Sequence, residues 1–228
     1  MRIRRLNRWN VSYQEALSTQ ERLRRQIVCR GSPRRVRLIA GADVSYDKSE
    51  ERFYGAVLLM SFPDLVVIEE VTAAGRPRFP YVPGLLTFRE GPILIRAFRK
   101  LKRRPDLVIF DGQGLAHPRG FGLAAHMGLL LDLPSIGCAK TRLCGEHRRV
   151  GAAVTSSAEL LYNGQTIGLA LRTRRDVKPV YVSVGHRISL ESAADWVLRT
   201  CRGYRLPEPT RQAHLLVNRL RLKSRDRR

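Results

Sequence analysis

Three segments decide the fold of this 228-residue chain: VRLIAGADVSY (residues 36–46), RFYGAVLLMSF (residues 52–62) and LVVIEEVTA (residues 65–73). All three are rich in β-branched and aliphatic residues, a composition that favours β-strands. Only the polar residues 47–51 and the pair Pro63 and Asp64 separate them. Because such short connections join strands that run in opposite directions, we predict an antiparallel meander.

Around the meander, helices and strands alternate. Upstream, Ser12 and Glu15 have capping-box spacing and begin a helix that we expect to reach about Cys29. Downstream we predict a Pro- and Gly-rich loop (75–84), a helix from about Glu90, a parallel strand (107–110), a helix (121–131), two strands (135–139, 180–184) and two helices (192–201, 210–222). This order predicts an α/β fold, namely a ribonuclease H-like mixed sheet in which an antiparallel meander is followed by parallel strands, flanked by helices.

The length and the 43% hydrophobic content suit one domain, which we expect to span residues 1–222, with a disordered basic tail at residues 223–228. The basic N-terminus leads into a polar helix, so we predict no signal peptide. No apolar window approaches the ~20 residues that cross a bilayer. We therefore expect a soluble, cytoplasmic protein that does not bind membranes, and we expect a monomer.

The charge balance points to a polyanionic partner. The chain has 42 lysines and arginines against 20 acidic residues, a net charge of +22. Such an excess favours binding to nucleic acid through the release of counterions, although a biased genome could also produce it. The four cysteines have no framework spacing, so we expect free thiols. A zinc site built from Cys138, Cys144 and His147 is the alternative.

Two aspartates stand where carboxylates are costly unless a cation compensates them. Asp43 lies inside an apolar strand, and Asp111 follows the buried strand 107–110 directly. Carboxylates on adjacent central strands suit Mg²⁺, although either could instead cap a turn or pair with an arginine. Glu90 is a third candidate, and Thr87 competes as the cap of a capping box that would include Glu90. His214, beside the apolar stripe of the last helix, is either a packed border residue or part of the site.

Six blocks of the sequence, in order, resemble the endonuclease V family. They are GADVSY (41–46), FPYVPGLLTFRE (79–90), DGQGLAHPRGFGLAAHMG (111–128), GCAKTRLCG (137–145), KPVYVSVGHRISLESA (178–193) and YRLPEPTRQAH (204–214). The resemblance implies a DNA-repair endonuclease that recognises deoxyinosine, or inosine in RNA for some members. It also implies hydrolysis of the second phosphodiester bond 3′ to the lesion with Mg²⁺ or Mn²⁺.

The same resemblance assigns roles to individual residues. Asp43, Asp111 and Glu90 would hold the metal, with His214 supporting the site and Lys140 approaching the phosphate. The wedge that enters the duplex would be formed by Pro80, Tyr81, Val82 and Pro83. The lesion pocket would be lined by Gly84, Gly112, Gly114 and His117.

Physical chemistry is consistent with these roles. Two rigid prolines can present Tyr81 from a loop, although an ordinary turn with Tyr81 packed down is the alternative. Glycines permit close approach of a flipped base, and hypoxanthine offers an acceptor at position 6 and a donor at position 1. Lys140 can stabilise developing phosphate charge or be one more surface lysine.

Three other functions remain compatible with the sequence. They are an inosine-specific ribonuclease, another ribonuclease H-like nuclease without lesion specificity, and a non-catalytic basic protein that binds nucleic acid. The last would not need Asp43 or Asp111, because carboxylates weaken phosphate binding when no metal is present.

Overall fold

A computed structural model describes residues 1–225, which form five helices and eight strands. The helices are α1 (Tyr13–Arg24), α2 (Leu86–Phe98), α3 (Leu123–Leu131), α4 (Leu190–Arg199) and α5 (Glu208–Arg225). The strands are β1 (Leu38–Asp47), β2 (Arg52–Ser61), β3 (Val67–Gly75), β4 (Leu107–Phe110), β5 (Ser135–Ala139), β6 (Ser157–Tyr162), β7 (Gln165–Leu171) and β8 (Val180–His186).

All eight strands form one mixed sheet in the order β3-β2-β1-β4-β5-β8-β7-β6. The predicted antiparallel meander β1-β2-β3 is confirmed, and β4 and β5 extend it in parallel from β1. The far edge returns to antiparallel pairing through β8, β7 and β6. The predicted ribonuclease H-like α/β class is therefore confirmed, with a longer antiparallel edge than expected.

Successive side chains along a strand point to opposite faces of the sheet, so the hydrophobic core is divided between the two faces. Val108 and Phe110 of β4 pack with α2 and α3, whereas Leu107 and Ile109 pack with α4. Helix α5 covers Ala56 and Leu58 on β2. No helix in the described residues combines the length and apolar character needed to cross a bilayer.

The first helix differs from its prediction at one end. The capping box of Ser12 and Glu15 is present, but α1 ends at Arg24 and not near Cys29. Beyond it, the Val28 N–H donates to His186 Nδ1 and the Val28 carbonyl accepts from the Arg187 N–H. These hydrogen bonds with His186 and Arg187 hold Val28 in a non-helical conformation beside the end of β8.

The second helix begins at Leu86, so the prediction of a start near Glu90 was wrong. Pro92 lies inside this helix and removes one backbone hydrogen bond. The preceding turn nevertheless buries Thr87 and Phe88, and this packing outweighs the missing bond. Strands β6 and β7 were not predicted. The last helix continues past the predicted end at Leu222 to Arg225 and thus includes the first part of the expected tail, while residues 226–228 lie outside the described residues.

A single glycine sets the distance between α5 and the sheet. A Cβ atom on Gly41 of β1 would lie 2.0 Å from the Pro209 carbonyl oxygen and 2.7 Å from the Thr210 nitrogen. Both are backbone atoms of α5 and cannot rotate away. The glycine therefore lets the helix backbone rest directly on β1.

We expect Gly41→Ala to cost about 3 kcal/mol of unfolding free energy, the upper end for overpacking, because backbone must move against backbone. Urea-induced unfolding measures the loss. The matched control is Gly75→Ala on β3, whose added Cβ would meet only the flexible side chains of Arg96 and Ile93. Equal losses in the two variants would show that α5 can shift without cost.

Candidate active site

Two carboxylates meet on adjacent strands: Asp43 lies within β1, and Asp111 directly follows the last residue of β4. In the parallel register of β1 and β4, Ala42 pairs with Phe110, and the Asp111 N–H donates to the Ala42 carbonyl at 3.0 Å. Asp43 and Asp111 therefore follow paired positions. Asp43 is buried, and the Asp111 side chain is only 11% exposed. Two negative charges held this close in little water need compensation.

Helix α5 brings His214 to the pair. His214 Nδ1 lies 2.7 Å from Asp43 Oδ2 and 4.0 Å from Asp111 Oδ2. The Asn218 amide nitrogen, one helical turn further along, lies 3.0 Å from His214 Nε2. This contact orients the imidazole ring so that Nδ1 faces the two carboxylates. Asn218 was missed by sequence reasoning, and its spacing of four residues from His214 was the available signal.

Lys140 supplies positive charge to the pair. It follows the last residue of β5, and its ammonium group forms an ion pair with Asp111 Oδ2 and lies 3.0 Å from His214 Nδ1. Burial and the charge of Asp43 nevertheless raise the pKa of Asp111, against the lowering effect of Lys140. Lys140 is therefore a partner of the acidic cluster, not one of the many solvated basic residues.

Glu90 completes the acidic surroundings from α2. Burial of its carboxyl group raises its pKa to about 8, and the charges of Asp43 and Asp111 act in the same direction, whereas Arg89 lowers it. Without an additional cation this carboxyl is mostly protonated at neutral pH. Burial is the largest cause of the raised pKa, and the neighbouring negative charges add to it.

The donor atoms fit a divalent cation. One ligand atom from each of Asp43, Asp111 and His214 lies within 4.8 Å of the others. Carboxylate oxygens are preferred by Mg²⁺, and imidazole is also accepted by transition metals. This group contains His214 in the place that the sequence reasoning gave to Glu90. The alternative zinc cluster of Cys138, Cys144 and His147 is not among the metal-binding groups of residues 1–225.

A loop with an exposed aromatic tip stands beside this cluster. Tyr81 is 69% exposed, and its neighbours Pro80 and Pro83 are also exposed. Val82 points the other way and packs on the buried Phe79, Leu85 and Phe88 cluster. The loop is therefore held at its root, and the alternative that Tyr81 is packed down was wrong.

Three donors fix the end of this loop by binding one carbonyl group. The Gly84 carbonyl accepts from Arg119 Nη2 at 2.6 Å, Gln20 Nε2 at 2.9 Å and His117 Nε2 at 3.0 Å. His117 Nδ1 accepts from the Arg119 N–H, so both ring nitrogens are used. Burial and the charge of Arg119 lower the pKa of His117 to about 4, which keeps the ring neutral. Gln20 reaches this position from α1, to which the sequence gave no role.

A pocket of about 440 Å³ lies between the Tyr81 loop and Asp111. Its walls include Gly84, Gly112 and His117, three of the four residues that the resemblance assigned to a lesion pocket. Gly114 lies behind the wall, since its N–H donates to Ser183 Oγ and a Cβ there would be 2.1 Å from the Val184 carbonyl oxygen.

An unpredicted residue, Gln113, also lines the pocket. Its Nε2 donates to the Thr141 carbonyl at 2.9 Å, while its Oε1 is buried and accepts no hydrogen bond in the described part of the chain. A buried acceptor without a donor favours a ligand that brings one. Its place between Gly112 and Gly114 was the only sequence signal.

Comparison with known proteins identifies the family of this chain. The family model for Endonuclease V matches residues 21–215. The Endonuclease V of Gloeobacter violaceus is 48% identical over 219 residues, which cover 95% of this chain and 89% of that protein.

Solved structures show the same fold. The Endonuclease V of Bacillus subtilis superimposes with a TM-score of 0.96 at 32% identity and full coverage of both chains. The Ciona intestinalis Endonuclease V, in complex with a 23-mer DNA containing an inosine followed by a ribo-adenosine, gives 0.82 at 27% identity over 93% of this chain and 99% of that one. The chain belongs to the Endonuclease V family, nucleases that act on phosphodiester bonds.

Proposed function

We propose that this protein is a metal-dependent endonuclease of DNA repair that recognises deoxyinosine and hydrolyses the second phosphodiester bond 3′ to it, leaving the lesion in a nicked strand. The observation that carries the proposal is the Asp43 and Asp111 pair beside a pocket bordered by an exposed tyrosine. A relative bound to inosine-containing DNA supports the choice of base.

The chemistry follows from the donor set. Asp43, Asp111 and His214 would hold Mg²⁺ or Mn²⁺, with Glu90 nearby as a further carboxylate. Such a cation polarises the phosphate and lowers the pKa of bound water. Asn218 keeps the His214 ring oriented. Lys140, an ammonium group already at the carboxylates, would stabilise the negative charge that develops on the phosphate.

Base recognition would take place in the pocket next to this site. Hypoxanthine carries a donor at position 1, where adenine has an acceptor, and Gln113 Oε1 is a buried acceptor that lacks a donor. A flipped hypoxanthine would satisfy it, whereas adenine would leave it unpaired. Gly112 on the pocket wall permits close approach of the base. Tyr81 would fill the gap that the flipped base leaves in the stack.

The remaining expectations belong to the same proposal: one catalytic domain over residues 1–222, a monomer, and action in the cytoplasm. Inosine in RNA is a second candidate substrate, favoured by the ribo-adenosine that follows inosine in the Ciona complex. Cleavage of inosine-containing and unmodified oligonucleotides, as DNA and as RNA, with and without Mg²⁺, tests both. Equal cleavage of modified and unmodified strands would refute the proposal.

We expect Asp43→Asn and Asp111→Asn each to lower the rate of nicking by at least ~10³-fold, since the cation contributes several kcal/mol to the transition state. Binding of DNA without metal should persist or strengthen, because a charge that repels phosphate is removed. Nicking and binding are measured on one inosine duplex. The control is Asp64→Asn, an exposed aspartate in the turn after β2. A folded variant that lost binding in step with nicking would assign that aspartate a structural role.

We expect Gln113→Met, which has similar shape but no acceptor, to lower the preference for inosine over adenosine by about tenfold or more, because an unsatisfied buried group costs about 1–3 kcal/mol. The ratio of kcat/KM on the two substrates measures this. Gln113→Glu keeps an acceptor and should retain the preference. The hypothesis fails if Met and Glu have the same effect on the ratio.

We expect Tyr81→Ala to weaken binding to paired inosine DNA about ten- to a hundredfold, the value of one stacking contact. The loss should shrink on mismatched or single-stranded substrate, where the base leaves the stack more easily. The cut position and the need for metal should not change. Tyr13→Ala, an exposed tyrosine on α1, is the control. Equal losses on all three substrates would mean that Tyr81 is not a wedge.

A further inference from the structure

A second groove, of about 320 Å³, lies along the outer side of α2 and is separate from the pocket at Asp111. Its floor is formed by apolar side chains of Trp9, Phe88, Ile93 and Ile95. Five arginines line it: Arg76, Arg78, Arg89, Arg96 and Arg99. No carboxylate is among its lining residues. We call it the arginine groove.

One end of the arginine groove, at Arg76, Arg78 and Arg89, lies at the same end of the sheet as the active site. Tyr46, three residues beyond Asp43 on β1, pairs with Phe53, and Phe53 pairs with Gly75 at the end of β3. Arg89 bridges this row, with its guanidinium 4.7 Å from the Tyr46 ring centroid and 5.3 Å from that of Phe53. The row leads from the acidic cluster to the groove.

The Tyr81 loop separates the groove from the pocket. Residues 81–84 line the pocket, whereas Arg76 and Arg78, which precede the loop, line the groove. The Arg89 guanidinium lies 5.9 Å from the centroid of the Tyr81 ring. A nucleic acid parted by Tyr81 would therefore have one flank over the acidic cluster and the other over the arginine groove.

The groove's charge is not compensated within the described chain. Arg76, Arg78, Arg96 and Arg99 are exposed, and none forms an ion pair or a side-chain hydrogen bond with another described residue. Other arginines are engaged: Arg211, for example, binds Glu208 through two nitrogens. Guanidinium groups present paired donors that match phosphate oxygens. Several such groups around one groove favour a ligand with successive phosphates.

We propose that the arginine groove binds the sugar-phosphate backbone of the substrate on the 5′ side of the lesion. This inference rests on the proposed function, because the cut 3′ to the lesion places that flank over Asp43 and Asp111. The opposite flank then passes the Tyr81 loop and meets the arginines. The groove holds the backbone 5′ to the lesion, so that Tyr81 enters a duplex that is bound on both sides.

The test compares two variants with the same loss of charge. The groove variant carries Arg76→Gln, Arg78→Gln, Arg96→Gln and Arg99→Gln. The control variant carries Arg30→Gln, Arg34→Gln, Arg35→Gln and Arg37→Gln, exposed residues before β1 at the opposite end of the sheet. Circular dichroism and thermal unfolding establish that both are folded. Fluorescence anisotropy then gives the Kd for inosine and unmodified duplexes over a range of salt concentrations.

The groove variant should bind at least about tenfold more weakly at 0.15 M salt, and the slope of log K against log salt should fall by up to about 3.6, since each neutralised phosphate contributes about 0.9. The control variant should keep the wild-type slope to within about one and the wild-type nicking rate. On a substrate that ends at the inosine on its 5′ side, the groove variant and the wild type should bind equally. Shortening the 3′ flank should leave their difference intact.

Two results would overturn the inference. One is an equal change in the slope of log K against log salt in the groove and control variants, which would show that the groove binds phosphate no better than the rest of a basic surface. The other is loss of the difference on shortening the 3′ flank instead of the 5′ flank. The unmodified duplex makes the comparison readable even if the inosine preference itself is absent, so failure of the groove and failure of the proposed function are distinguishable.

Discussion

The repulsion between the Asp43 and Asp111 carboxylates is the constraint around which this end of the molecule is organised. Parallel pairing of β1 and β4 brings the two groups together, and their burial removes the water that would screen them. The ionisable side chains around the pair are all affected by its negative charge. Lys140 and His214 bind the carboxylates, while burial, and after it the two negative charges, raise the pKa of Glu90. Even Gly41 serves this arrangement, because the close approach of α5 is what brings His214 within reach.

Chemistry and recognition rest on different kinds of support. The carboxylates are fixed by backbone hydrogen bonds in the centre of the sheet, where small shifts are costly. The Tyr81 loop has no ladder of its own and depends on its packed root and on the three donors at the Gly84 carbonyl. A tip that enters a duplex has to be exposed, so its rigidity must come from its two ends. In the proposed DNA-repair role, the metal ligands would be held by the central sheet, and the loop that contacts the base would be held by local packing and hydrogen bonds.

The sequence predicted the elements whose signals are local and strong. The meander, Asp43 inside an apolar strand and Asp111 directly after one follow from residue type and spacing alone, whereas residue type left the exposure of Tyr81 open and its role as a wedge was implied by the family resemblance. The β6-β7 hairpin also had a signal that was missed: Asn163 and Gly164, both with positive φ, form the two-residue turn typical of tight hairpins. The start of α2 at Leu86 was harder to predict, because proline is unfavourable inside a helix and Pro92 therefore argued for a later start. Only the packing of the first turn decides in favour of the earlier start.

Other features had no sequence signal because they depend on distant contacts. The sequence of α1 does not predict that Gln20 binds the Gly84 carbonyl, which lies 64 residues further along the chain. The unpaired Oε1 of Gln113 likewise emerges only when the surrounding walls are in place. Such groups are invisible to spacing rules, since their partners are set by the assembled fold and not by their neighbours.

The high positive charge of the chain favours binding to nucleic acid, but it cannot distinguish one base from another. Phosphates are the same beside every base, so a net charge of +22 attracts all nucleic acid alike. Discrimination has to come from groups that contact the base itself, and in the proposed function these are the pocket residues Gln113, Gly112 and the neutral ring of His117. In the proposed function the acidic cluster adds a second requirement, because its two carboxylates repel the phosphate backbone until a cation is bound. A strand attracted everywhere would then be cut only where an uncharged pocket accepts its base and a metal-bound cluster accepts its phosphate.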